Sequence, residues 1–225
     1  MLPTATGHES TVLELRQYTL HPDTRDILVE LFDRYFVEGQ EECGMSIPGQ
    51  FRDLEDPDRF VWLRGFADMD ARRAALERFY GGPVWAAHRE AANATMVDFS
   101  NVLLLKPAWA GSDFKLDRND RPATGSAERP GGVISARITH VAARELADFS
   151  LRCLEEQGSD KSLIAAYMTE DSPNSYPALP IRDDSVFVSF HDESAPGFAS
   201  ADRAAGKSEW LRLAPTARSL LSGSH

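Results

Sequence analysis

The 225-residue sequence predicts an α+β fold made of two tandem units, each with the element order βαββαβ. Two observations support this prediction. Segments that alternate apolar and polar residues, as half-buried strands do, occur in the same order in both halves, and segments with helical apolar spacing lie between them. Residues 107–131 separate the halves and are rich in Gly, Ser, Pro, Asn, Asp and Arg, which predicts a linker.

The first unit is predicted over residues 11–106, after a flexible N-terminal arm at residues 1–10. Pro22 and Pro83 can each begin a helix, because the first turn of a helix tolerates proline. Gly81 and Gly82 end the helix before Pro83. The predicted strands are 12–19, 47–54, 59–66 and 97–106, and the predicted helices are 22–39, 68–80 and 83–95.

The second unit is predicted over residues 132–221, with Arg137 at the position that Arg16 has in the first. A proline-rich loop, residues 171–180, is either a lid over the mouth of the fold or a simple crossing. The predicted strands are 133–140, 163–169, 186–190 and 211–215, and the helices are 146–158 and, more weakly, 197–207.

Each predicted four-stranded antiparallel sheet carries helices on one face and leaves the other face bare. An apolar sheet face must pack on something, and the other unit is the obvious partner. We therefore expect the two sheets to pack face to face as one intramolecular barrel, with a cavity between them.

Composition excludes several classes of function. The net charge of −11, without a basic cluster, disfavours nucleic acid and anionic membranes as partners. No stretch of about 18 apolar residues suits a membrane helix, and residues 1–10 lack the features of a signal peptide, so a cytoplasmic location is expected. Two isolated cysteines and six histidines without ligand spacing predict no metal site, and no cofactor motif is present.

Strand alternation predicts which side chains face the expected cavity. Leu13 and Leu15 are expected to meet the helices, which leaves Arg16 and Tyr18 on the cavity side. Trp62 and Arg64 are expected to join them, since their strand neighbours Val61 and Leu63 are small and aliphatic. Aromatic walls with a few charged groups are typical of a small-molecule pocket. The alternative is that Arg16 pairs with Glu14 in a structural network, since buried charges must be paired in either case.

Further candidate residues lie on the predicted helices. His88 is a candidate acid or base because histidine titrates near neutral pH, although a lone helical histidine is more often structural. Tyr80, Trp85 and Asn93 are candidates for substrate binding.

Several segments resemble the NIPSNAP family. The first unit carries Phe60-Val-Trp-Leu-Arg-Gly-Phe66 and Phe79-Tyr-Gly-Gly-Pro-Val-Trp85, and the second carries Asn174-Ser-Tyr-Pro-Ala-Leu-Pro-Ile-Arg182. The resemblance covers both units. It implies ferredoxin-like units in a dimeric α/β-barrel fold but says little about activity.

These features favour a small-molecule enzyme that needs no cofactor and performs oxygenation or isomerisation. Arg16 and Arg64 would hold an enolate or carboxylate, and Arg64→Ala is expected to abolish binding with little loss of stability. A non-catalytic ligand-binding or protein-interaction module is the alternative, and a haem protein is a third possibility. An open lumen would favour the enzyme and a plugged lumen the module; a homodimer is compatible with either.

Overall fold

The computed structural model describes residues 10–127, 131–156, 158, 160–196, 198 and 208–223. The predicted arm at residues 1–10, apart from Ser10, lies outside these residues. So does the predicted helix 197–207, apart from Phe198.

The observed elements follow the predicted order. The strands are β1 (Val12–Leu20), β2 (Ser46–Asp53), β3 (Arg59–Phe66), β4 (Met96–Pro107), β5 (Ile134–His140), β6 (Leu163–Thr169), β7 (Val186–Asp192) and β8 (Ser208–Pro215). The helices are α1 (Arg25–Leu31), α2 (Val37–Glu41), α3 (Met69–Tyr80), α4 (Pro83–Asn93) and α5 (Leu146–Glu156). Among the described residues, no helix is long and apolar enough to span a membrane.

The eight strands form one closed antiparallel barrel in the order β1-β3-β2-β8-β5-β7-β6-β4. Within it, the sheet of the first half has the order β4-β1-β3-β2. The sheet of the second half repeats this arrangement as β8-β5-β7-β6. Two seams join the halves: β2 pairs with β8, and β4 pairs with β6. The sheets therefore join along their edges as well as facing each other, and the result is an α/β barrel.

Helices cover the outside of the barrel. Asp68 caps α3 by accepting a hydrogen bond from the backbone N–H of Ala71 at 2.7 Å, and Pro83 begins α4 as predicted. The predicted helix 22–39 is interrupted by a π-helical turn, Phe32–Phe36, between α1 and α2. Such turns shift the register of a helix, which apolar spacing alone does not reveal.

Aliphatic side chains from both halves fill the barrel interior. They include Leu13, Leu15, Val61 and Leu63 of the first half and Ile134, Ile138, Val186 and Val188 of the second, all at most 1% exposed. The expectation that Leu13 and Leu15 meet the helices was therefore wrong, and so was the expectation of a cavity between the sheets. The interior of an eight-stranded barrel is just wide enough for side chains or for one small ligand, and here apolar side chains, including Phe51, Tyr167 and Phe190, fill it.

Candidate functional site

A cavity lies between the first sheet and helices α1 to α4, on the face opposite the lumen. Aromatic side chains dominate its wall, and the cavity volume is ≈ 40 Å³. Tyr18 packs edge to face on Trp62, with 5.9 Å between ring centres, and Tyr80 packs edge to face on Trp85, with 5.0 Å between ring centres. The lining residues are Tyr18, Leu28, Phe32, Phe36, Gln40, Trp62, Phe79, Tyr80, Trp85, Ala92 and Met96. Four predicted substrate-binding residues are thus brought together.

Beside this cavity a single carboxylate contacts three guanidinium groups. Glu14 Oε2 accepts hydrogen bonds from Arg16 Nη1 at 2.7 Å and from Arg64 Nη2 at 2.6 Å. Its other oxygen, Oε1, accepts from Arg72 Nε at 2.7 Å. All four residues are 0% exposed. The predicted pairing of Arg16 with Glu14 is therefore present, inside a larger buried cluster.

The buried cluster carries excess positive charge. One carboxylate against three guanidinium groups leaves a formal charge of +2. Burial alone would raise the pKa of Glu14, but the charges of Arg64, Arg16 and Arg72 hold that pKa well below its usual range. The carboxylate is therefore ionised at any physiological pH. Within the described part of the chain, the cluster contacts no second acid.

Three buried donors of the cluster and the cavity wall have no hydrogen-bond acceptor among the described residues: Arg16 Nη2, Trp62 Nε1 and Arg72 Nη2. Of these, Arg72 Nη2 still lies 2.7 Å from Glu14 Oε1, whereas the other two have no acid so close among the described residues. The Arg16 guanidinium lies 5.4 Å from the centres of both the Tyr18 and the Trp62 rings, which line the cavity. Leaving a buried donor unpaired costs about 1–3 kcal/mol, so proteins seldom do so without a reason.

The proline-rich loop of the second half covers this site. Arg72 Nη1 donates to Asn174 Oδ1 at 3.0 Å and to Ser175 Oγ at 3.1 Å. The Tyr176 ring stacks on Tyr80 with 6.0 Å between ring centres. The loop therefore closes the helix-side site of the first half, and not the barrel mouth as the lid prediction had it.

Not every predicted residue reaches the cavity. Arg64 does adjoin it, because its Nη1 donates to Gln40 Oε1 at 3.2 Å and to Tyr80 Oη at 3.5 Å. His88 instead stacks on Tyr35, 3.9 Å between ring centres, and does not line the cavity. Asn93 is exposed. Neither His88 nor Asn93 is positioned to act on a molecule in this cavity.

Sequence reasoning missed Arg72, Gln40 and Tyr176, and it treated Glu14 only as a possible partner. Glu14 and Arg16, two residues apart on β1, necessarily share a face, which was the available signal. No local pattern links Arg72 or the distant Tyr176 to that face. The multiple contacts of Arg64 also make the expectation that Arg64→Ala spares stability untenable.

The second half does not carry the residues of this cluster at the corresponding described positions. Glu14 lies opposite Arg64 and Arg16 opposite Trp62 in the first half, whereas Ser135 lies opposite His191 and Arg137 opposite Ser189 in the second. His191 bonds the Ser189 hydroxyl at 2.9 Å through Nε2. At the described positions that correspond to Glu14, Arg64 and Trp62, the second half has Ser135, His191 and Ser189. Arg137 keeps the position of Arg16 and lies 5.5 Å from the centre of the Trp210 ring.

A second, larger cavity of ≈ 460 Å³ lies between α1, residues 124–126 and residues 217–218. Asp33 lines it, accepts a hydrogen bond from Thr216 Oγ1 at 3.2 Å, and has a pKa raised to about 6 by burial. Arg218, also in its wall, donates to the backbone oxygen of Asp33 at 2.7 Å. None of the predicted site residues lines this cavity.

The fold places the chain among dimeric α/β-barrel proteins. A presumed monooxygenase from Fusobacterium nucleatum is 10% identical, with a TM-score of 0.57 over 95% of each chain. A presumed monooxygenase from Lactobacillus acidophilus is 11% identical, with a TM-score of 0.54 over 96% of this chain and 100% of that one. An anthrone oxidase-like protein is 10% identical, with a TM-score of 0.51 over 98% and 99%. At these identities the likeness shows the fold alone.

Residues 13–110 match the model of the NIPSNAP family. The resemblance predicted from the sequence is confirmed there. Comparison with the curated proteins finds no match.

Proposed function

We propose that the first half binds a small aromatic molecule between its sheet and helices, and that the protein is an enzyme which oxygenates or isomerises it without a cofactor. The observation that supports this proposal is the convergence of Tyr18, Trp62, Tyr80 and Trp85 on one cavity beside buried arginines. Aromatic walls with a few fixed polar groups are what a small-molecule site requires.

The cavity must widen to admit such a molecule, because ≈ 40 Å³ holds only a few water molecules. Tyr80 and Trp85 are half-buried, so the rim can move by side-chain rotation without unfolding the helices. The packed lumen offers no comparable route. A plugged lumen was expected to favour the interaction module, but that expectation assumed a ligand between the sheets.

The cavity lining contains no histidine or carboxylate. This favours a substrate acidic enough to react through its own anion, with the arginines stabilising the negative charge. His88 is not part of this proposal, since its ring is stacked elsewhere.

Anthrone is the first substrate to test, because an anthrone oxidase-like protein shares the fold. Its conversion to anthraquinone consumes one O₂ and releases one water, so an oxygen electrode and the quinone absorbance give two independent readouts. We expect Trp85→Ala to lower kcat/KM at least ~10-fold by removing one wall. The matched control Arg137→Met, in the second half, should leave kcat/KM unchanged.

A panel of other acidic aromatic molecules follows if anthrone is inert. Binding of a panel member that Trp85→Ala abolishes, without turnover, would favour the non-catalytic ligand-binding alternative. If no panel member binds, or if Trp85→Ala leaves binding unchanged, the proposed site is wrong.

A further inference from the structure

The buried charge at the first-half site identifies the class of molecule that it takes. We infer that the ligand binds as an anion, a carboxylate or phenolate on a flat aromatic body, with its charged oxygen on Arg16 Nη2 and Trp62 Nε1. This inference rests on the proposed function for the position of the site.

The net charge of the buried cluster favours an anionic ligand. Glu14, Arg16, Arg64 and Arg72 are fully buried and together carry a formal charge of +2. Uncompensated charge in a low-dielectric interior is strongly unfavourable, so proteins pair it or use it. An anionic ligand would offset part of this excess.

The hydrogen bonds of the cluster leave two donors available to a ligand. Glu14 Oε2 already accepts from Arg16 Nη1 and from Arg64 Nη2, and Oε1 accepts from Arg72. The carboxylate is thus occupied, whereas Arg16 Nη2 and the Trp62 indole N–H have no acceptor among the described residues. Two donors without acceptors, on residues whose side chains are in contact, suit one anionic oxygen or a carboxylate pair.

The aromatic lining of the cavity suits a flat ligand. The Trp62 ring lines the cavity and has both Arg16 and Arg64 against it, at 5.4 and 5.0 Å from its centre. Tyr18 and Phe32 flank the same ring at 5.9 and 4.8 Å. These aromatic faces suit a flat apolar body behind the charged group.

The test compares 2-naphthoate with 2-naphthamide by titration calorimetry at pH 7.5, since the two differ in charge and hardly in size. We expect naphthoate to bind at least ~10-fold more tightly to the wild type. Arg16→Met should abolish that preference, and Trp62→Phe should reduce it while keeping an aromatic wall. Arg137→Met, which changes the corresponding arginine of the second half, should preserve it.

Thermal unfolding provides a second readout that needs no ligand. If Arg16 mainly adds excess charge, Arg16→Met should unfold at the same temperature as the wild type or higher, because Glu14 keeps Arg64 and Arg72. A larger fall in Tm than Arg137→Met causes would mark Arg16 as a structural partner of Glu14 and overturn the inference.

The outcomes separate the two proposals. Equal binding of both naphthalenes, lost in Trp85→Ala, would refute the anion inference and leave the proposed site standing. If neither molecule binds, the proposed site is in doubt, and the unfolding temperatures alone decide whether Arg16 is a surplus charge.

Discussion

Glu14→Gln is the substitution that most directly tests the buried cluster. It keeps the shape of the side chain but removes the negative charge shared by Arg16, Arg64 and Arg72. Removing one partner of a single buried ion pair costs about 3–5 kcal/mol, because the other charge is left uncompensated. Here three buried cations lose their one common acid, so we expect a loss of at least ~4 kcal/mol.

Such a loss is a large fraction of the 5–15 kcal/mol that typically stabilises a domain. Urea denaturation followed by tryptophan fluorescence measures it, with the slope of the unfolding free energy as a check on two-state behaviour. Glu145→Gln, which removes an acid paired with Arg144 on the exposed surface, is the matched control and should cost under ~1 kcal/mol. If Glu14→Gln lowered the free energy of unfolding as little as the control does, water would have to reach the cluster. The inference from its uncompensated charge would then fail.

The remaining predictions concern the lumen, the helices and the larger cavity. Leu63→Ala, in the packed lumen, should cost about 2–5 kcal/mol in urea denaturation, and a loss under ~1 kcal/mol would mean that the lumen is loosely packed. His88→Ala should leave ligand affinity unchanged in calorimetry, because His88 stacks on Tyr35; a loss of affinity would return it to the site. Asp33 has a pKa raised from 3.8 to about 6, so its folded form binds the proton more tightly, and its contribution to stability falls as pH rises from about 4 to 6. Asp33→Asn should remove that fall, and identical pH profiles of urea midpoints for variant and wild type would contradict it.

The strands could be predicted because period-2 alternation is local. β3 and β6 have the predicted bounds, β1 is one residue longer than predicted, and β2 is shifted by one residue at both ends. Which face of each strand points into the barrel could not be predicted from one unit alone. Whether Leu15 or Arg16 faces inwards depends on the closure of the barrel, which fills the lumen with aliphatic residues from both halves.

The sequence predicted four residues of the candidate site correctly, but it placed the site on the wrong face of the sheet. Arg16, Tyr18, Trp62 and Arg64 do converge, as strand alternation required, but on the helix side of the sheet. The contribution of Tyr176 could not be predicted, because it comes from a loop about a hundred residues away in sequence.

The pairing of β2 with β8 has a consequence for the synthesis of the chain. β2 ends at Asp53 and its partner β8 at Pro215, so the first sheet keeps an open edge while the residues between them are synthesised. At 5–20 residues per second this interval lasts roughly 10–30 s. During that time the backbone groups of β2 can pair with strands of other chains. Slower translation should therefore lengthen the time in which the unpaired edge of β2 can associate with other chains.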